Sequence, residues 1–448
     1  MRKIFQYILM AVAVVATASC SNELDETLQS AGNGNLQFVV SDFPAFGEDA
    51  QTRFIGTQDE GKTAWVDGDN ILVHLYSQKY GDQAVTLTFD AENNAWESDG
   101  GTLRYLENET PTITAVYAPD CEIKSDKTIG LLDSKQYGEA EYIPAKTTIS
   151  GNTLDISFES GRTYNRLRIA GLANQTLIVT TTDFTPAGAT EVATAAYTLT
   201  TDNNGNAFLY GVFAEDATVS VKQGDITLKD YTFTAEKNPN GTAHNKSYAL
   251  DATPVIDGTL GGKAEATAAE VETLVQQLKD YVDNGITTII VPGSKSAIIE
   301  VDGIVLPAVS EAIYRLSKDE SYNGKIDLIL PDVTEIFDQE FHSARALNSI
   351  TLPKVTNLAD QAFYGTLYLR TITFGSVITE VNELGAIFNQ VGYNVGGCDL
   401  ILNCGQMNES NVPAPDLTNN IWKFKFENEF KSITLTHTGE CDECKANQ

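Results

Sequence analysis

Three four-residue stretches, Leu328-Ile329-Leu330-Pro331, Ile350-Thr351-Leu352-Pro353 and Ile372-Thr373-Phe374-Gly375, follow one another at a fixed step of 22 residues. Val333, Val355 and Val377 keep the same step, as do Gln339 and Gln361, Phe341 and Phe363, and Leu347 and Leu369. Each unit carries one short apolar run and a return segment, and it cannot bury its apolar side alone. Stacking the units in register buries that side, so the period predicts a coil of parallel strands around one continuous core. Side chains alternate across a strand. The residues flanking the inward Leu and Ile positions therefore share an outward face: Thr288, Ile290, Asp327, Ile329, Ser349, Thr351, Thr371, Thr373, Asp399 and Ile401. This Thr-rich surface suits hydrogen-bonded contact and is the expected binding face. A plain solvated flank of the coil is the competing reading.

Irregular units bracket the clear ones, at 286–292 before them and at 399–402 and 432–435 after them. Ahead of the repeat, Thr267 and Glu270 have capping-box spacing, and Val271, Leu274, Leu278 and Tyr281 fall on one helix face. Asn284-Gly285 supplies a stop. A Gly- and Ala-rich change of composition marks a linker over 253–265. Upstream, residues 36–252 read as many short β-runs. Asp67-Gly68, Asn203-Asn204-Gly205 and Asn238-Pro239-Asn240-Gly241 punctuate them as turns. The expected architecture is multidomain. One or two β-sandwich subdomains (36–160 and 161–252) precede an α+β repeat solenoid over 266–448 with an N-terminal capping helix and degenerate C-terminal units.

The 448 residues carry 61 acids against 30 Lys and Arg, a net charge of −31, with 42% hydrophobic content. The apolar content supports packed cores. The acidic field argues against nucleic acid as a partner, and no local basic patch stands out along the sequence. At the N-terminus, Arg2 and Lys3 precede a short apolar run and then Thr17-Ala18-Ser19-Cys20. This resembles a bacterial lipobox, with Thr17 where that family has Leu. The resemblance implies a lipoprotein signal peptide (1–19) and lipid attachment at Cys20; an ordinary signal peptide cleaved near Cys20 is the alternative. Residues 20–35 form an acidic flexible tether, similar to the surface-export signal of Bacteroidetes lipoproteins. The implied location is the outer face of the outer membrane, held there by the lipid.

Arg53-Phe54-Ile55, followed by Trp65-Val66-Asp67-Gly68-Asp69-Asn70-Ile71, resembles the opening pattern of the fimbrillin family. Ala115–Pro119, Asn165–Ile169, Phe208–Phe213 and Lys246–Leu250 fit its later strands in order. The resemblance covers about 37–252 and implies fimbrillin or transthyretin-like sandwiches. It also implies proteolytic processing at Arg53, which an ordinary surface arginine would equally explain. Leu347 to Pro353 with Ala362-Phe363 resembles BspA-like leucine-rich repeats over about 286–440. Together these resemblances imply a surface lipoprotein acting in adhesion, or an accessory or tip component of fimbriae. Its partners are then fimbrial subunits or host surface proteins and glycans. Capture of a soluble host protein or glycan is the alternative, and glycan processing a further one.

Other motifs yield no chemistry. Gly56 to Thr63 matches the phosphate-loop expression, but the chain beyond it is turn-bound, and Asp59 and Glu60 would repel phosphates. Asp67 to Asn70 lacks the Gly and Glu that an EF-hand loop requires. Cys398, Cys404, Cys441 and Cys444 fit tail thiols or local disulfides better than a zinc site, and Cys121 reads as a small buried residue. Trp65 reads as a core anchor and His74 as structural. No enzyme, cofactor or metal is expected.

Overall fold

The computed structural model describes residues 36–44, 62–106, 108–158, 163–234, 246–294, 296–378, 380–381, 387–403 and 429–436. Cys20, Arg53, Cys404, Cys441 and Cys444 lie outside the described residues, as do the signal-peptide and tether segments.

The repeat opens with helix α1, Ala268–Asp283. The Thr267 hydroxyl accepts from the Glu270 N–H, and the Glu270 carboxylate accepts from the Thr267 N–H at 2.8 Å, so two first-turn donors are satisfied reciprocally. Val271, Leu274, Val275, Leu278 and Tyr281 are its buried face. Asn284 ends the helix, and Gly285 follows with φ +77°, the left-handed region that a Cβ disfavours. A second helix, α2 (Ala308–Lys318), was not legible in advance. It follows the hairpin Ile298–Val301 and Ile304–Pro307 and buries Val309, Ala312, Ile313 and Leu316 in the same core.

Six parallel strands then form one sheet in chain order: Thr288–Ile290, Ile326–Ile329, Leu347–Leu352, Thr371–Phe374, Asp399–Asn403 and Ser432–Thr436. Ile289, Leu328, Ile350, Ile372, Leu400 and Ile433 pair in a single row. All but Ile433 are fully buried, so the 22-residue period places equivalent side chains in adjoining layers of one core. On the return side, Glu335–Ile336, Asn357–Leu358 and Glu380–Val381 make a second parallel ladder. Phe341, Phe363 and Phe388 stack between the ladders with ring centroids 5.6 and 5.7 Å apart. The repeated glutamines have a backbone role: Gln339 and Gln361 both adopt positive φ, 58° and 50°. That turn aims the Phe341 N–H at the Ala362 carbonyl (2.9 Å) and the Phe363 N–H at that of Ile387 (3.0 Å).

Upstream are two β-cores. In the first, the antiparallel strands Ala95–Ser98, Gly81–Asp90, Asn70–Ser77, Thr112–Tyr117 and Ile143–Pro144 form one sheet. It faces a three-stranded sheet of Gln37–Val40, Thr153–Ser157 and Lys146–Ser150. Ile71, Val73, Val85, Leu87, Leu154, Ile156 and Phe158 fill the space between. Trp65 anchors this core as its sequence suggests. It makes edge-on contacts with Phe43 and Trp96 at 4.9 Å and donates from Nε1 to the Ser41 carbonyl at 2.9 Å.

The second core is enclosed by a single seven-stranded sheet. The long strand Thr176–Pro186 is shared. Its first half pairs with Thr218–Gln223 and Ala193–Thr200, and its end pairs with Asn206–Phe213. The register shifts between Thr181 and Phe184, where Asp183 has φ 50°. Such a bulge bends a strand and lets one sheet fold over on itself. The turn between Thr218–Gln223 and Ile226–Thr232 meets the end of α1: the Asp225 N–H donates to Asn284 Oδ1 at 2.7 Å, and Ile226 and Leu228 pack on the repeat core.

Phe363→Ala removes the middle ring of the aromatic stack. It should lower the stability of the repeat by about 3–5 kcal/mol, read as a shifted midpoint in chemical denaturation. A loss under about 1 kcal/mol would mean that the stack does not carry this core.

Candidate functional site

Strand register brings the expected face together. Thr288, Asp327, Ser349, Thr371 and Asp399 pair in one row, and Ser432 extends it. Ile290, Ile329, Thr351, Thr373 and Ile401 pair in the next row, extended by Thr434. Every one of the ten expected residues is partly exposed, while the row between them is buried. The polar row is partly self-satisfied. Asp327 Oδ1 accepts from the Ser349 hydroxyl (2.6 Å) and the Asn348 amide (2.7 Å), and Asp399 Oδ1 accepts from the Ser432 hydroxyl (2.6 Å). At the centre, the hydroxyls of Thr351, Thr371 and Thr373 have no hydrogen-bond partner among the described residues. Three unengaged hydroxyls on two adjacent strands, with the half-buried Ile329 and Ile401 to either side, can meet a ligand presenting both hydroxyls and apolar edges.

Along the N-terminal rim of the same sheet the structure corrects the impression that the chain has no basic patch. Lys325, Arg345, Arg370 and Lys431 each lie one or two residues before a strand. Lys325 Nζ donates to the Arg345 carbonyl at 2.8 Å and lies 4.1 Å from the centre of the Tyr368 ring. Arg345 donates from Nη2 to the Asp319 carbonyl at 2.8 Å. In the sequence Arg345 lies 20 residues after Lys325, and Arg370 lies 25 after that. Neither spacing equals the regular step of 22.

A cavity of about 590 Å³ opens at the first coil, walled by Val291, Ile298, Val309, Leu328, Leu330 and Phe337. Glu340, 3% exposed, borders it. The Ser310 hydroxyl lies 2.8 Å from Oε1, and the Phe337 N–H donates to Oε2 at 2.9 Å. Burial pushes this carboxyl up to about 7, against the pull of both partners and with the Glu335 charge adding to the rise. Neither this cavity nor α2, which supplies Val309 and Ser310, was legible in the sequence.

The remaining residues singled out in the sequence have local roles. Lys62, from the phosphate-loop match, pairs with Asp69, donates to the Tyr117 hydroxyl at 3.0 Å and sits over the Phe43 ring. Asp69 also accepts from the Val66 N–H, which closes the Asp67-Gly68 turn. His74 meets Asp82 across its hairpin at 2.9 Å. Cys398 is a buried free thiol, pushed up to about 12 by desolvation, and Cys121 is a partly buried free thiol raised to about 11 for the same reason. Among the described residues Cys398 has no disulfide partner, and Cys404, Cys441 and Cys444 lie outside them. Among the described residues, no group of three or more His, Cys, Asp or Glu is placed to hold a metal ion, and no helix is long and apolar enough to cross a membrane.

No family model matches the chain, and no curated protein does. Among solved structures it is similar to a candidate cell adhesion protein from Bacteroides fragilis NCTC 9343, at 11% identity over 49% of this chain and 93% of that one, with a TM-score of 0.25. A candidate cell adhesion protein from Bacteroides ovatus ATCC 8483 matches at 14% identity over 42% of this chain and 83% of that one, with a TM-score of 0.22. A fimbrial protein from the same strain matches at 10% identity over 49% and 48%, with a TM-score of 0.25.

The cavity acid generates a pH prediction. A carboxyl raised in the folded state keeps its proton where the unfolded chain has lost it. The folded protein then binds more protons between 4.5 and about 7, so stability falls as pH rises through that window. Glu340→Gln mimics the neutral acid, its amide donating to Ser310 and its carbonyl accepting from Phe337. Thermal melts across the window should show a smaller fall for the variant than for the parent chain. Equal slopes would contradict the assignment.

Proposed function

We propose that the chain is a surface lipoprotein that binds host proteins or glycans in adhesion, with the repeat sheet as the ligand face and the two β-units as its stalk. The observation that carries this reading is the row geometry: unengaged Thr351, Thr371 and Thr373 hydroxyls on a sheet of six parallel strands. The lipobox-like Thr17 to Cys20, followed by an acidic tether, supports anchoring at the outer membrane surface. The 22-residue units, with their Leu and Phe core positions, support the BspA-like leucine-rich-repeat type. The role is one of binding without catalysis.

A fimbrial accessory role is the second reading, and one feature favours it. Gln37–Val40 is an edge strand paired parallel to Thr153–Ser157, and Leu36 and Phe43 at its ends are buried in the first core. A cut at Arg53 would free that strand from the rest of the chain. The edge it leaves could take a donor strand from a fimbrial subunit.

Binding of the full chain to a panel of mucin glycans and matrix proteins tests the first reading. Thr351→Glu and Thr373→Glu should each weaken capture by about tenfold or more, since each puts an unpaired charge into a close contact. Unchanged capture by both variants would remove the sheet face from the account. Loss of capture should leave co-purification with fimbriae unaffected; the converse pattern favours the accessory role.

A further inference from the structure

The whole chain carries a net charge of −31, yet four cations gather on one rim of the repeat sheet. Lys325, Arg345 and Arg370 lead into three successive strands of the sheet, Lys325 Nζ reaching the Arg345 carbonyl at 2.8 Å. None of the three is paired with a carboxylate among the described residues. Burial, and then the like charges of Arg345 and Arg370, push the Lys325 ammonium below its ordinary range, with no acid among the causes. Lys431, on the last strand, makes only a long contact with Asp399, at 3.8 Å. Elsewhere in the repeat, Lys263, Lys279 and Lys354 pair with Glu270, Asp319 and Asp332. Three cations held together without one leave a local demand for an anion.

Resting on the adhesion reading above, we propose that the ligand of the repeat sheet is an acidic glycan. Its sulfate or carboxylate groups bind the Lys325–Arg345–Arg370 rim, and its sugar hydroxyls meet Thr351, Thr371 and Thr373. A guanidinium presents a planar fork of donors to either kind of oxyanion, and Arg370 is the exposed member of the group. A long nucleic acid fits less well, because the field of the rest of the chain repels an extended polyanion while the rim is only a few coils long. Sulfate and carboxylate share the recognising chemistry, and the test separates them.

The experiment is calorimetric titration of the full chain with sulfated, sialylated and neutral forms of one mucin-type oligosaccharide, at low and moderate salt. The acidic forms should bind at least about tenfold more tightly than the neutral form, and the preference should shrink with salt. Arg370→Gln should remove most of that preference while leaving the melting temperature unchanged, and Arg370→Lys should restore part of it. Preference for the sulfated or for the sialylated form supports the proposal and names the source of the anion. Equal binding of all three forms, insensitive to Arg370→Gln but lost in Thr351→Glu, overturns the acidic-glycan inference and leaves the sheet face standing. No binding of any form by the folded chain overturns both. Tighter binding of a single-stranded DNA oligomer than of any glycan, sensitive to Arg370→Gln, overturns the glycan assignment.

Discussion

Parallel backbone pairing between coils, repeated at a 22-residue step, is the constraint on which the rest of the repeat depends. It fixes which side chains share a row, because a slip of one residue would turn every side chain to the opposite face. Ile289, Leu328, Ile350, Ile372 and Leu400 are buried only because the register brings them together, and Thr351 and Thr373 are neighbours for the same reason. The return side repeats the device: left-handed Gln339 and Gln361 aim successive backbone N–H groups at the next coil and hold the Phe341–Phe363–Phe388 stack in place. A coil contacts only its neighbours, so each end needs a cap. Helix α1, secured by its capping box, and helix α2 close the N-terminal end against the core.

That architecture gives the sheet a chemical polarity. Its central rows present hydroxyls, part of them committed to Asp327 and Asp399 and part unengaged. Its N-terminal rim collects cations that the sequence disperses. A chain of net charge −31 keeps most anions at a distance, so a short cationic rim acts only at close range, within a Debye length of about 8 Å. Recognition of this kind favours selectivity among related ligands over raw affinity.

What the sequence disclosed followed from regularity. The period, the alternation in Ser349-Ile350-Thr351 and Thr371-Ile372-Thr373, and the Thr267–Glu270 box each have a fixed local signature, and the structure reproduces all three. What it concealed followed from departures. Lys325, Arg345 and Arg370 stand two, four and one residues ahead of the paired row Asp327, Ser349 and Thr371, so the rim has no constant period. Helix α2 begins directly behind Pro307, which ends a hairpin and offers no side-chain cap, so no start signal announces it. The second β-unit is one folded sheet because of a bulge near Asp183, a non-glycine residue with positive φ that no turn motif marks. Glu340 reads as one acid among 61, and its burial arises only from the packing of α2 and the first coil over it.

In the proposed arrangement the coil stack presents the ligand face and the β-units carry it. Hydrogen exchange of the full chain with and without a sulfated mucin-type oligosaccharide tests this most directly, since it locates contact by segment. The account predicts added protection confined to peptides spanning 325–329, 345–352 and 368–374. Protection in 36–252 with none in those peptides would contradict it.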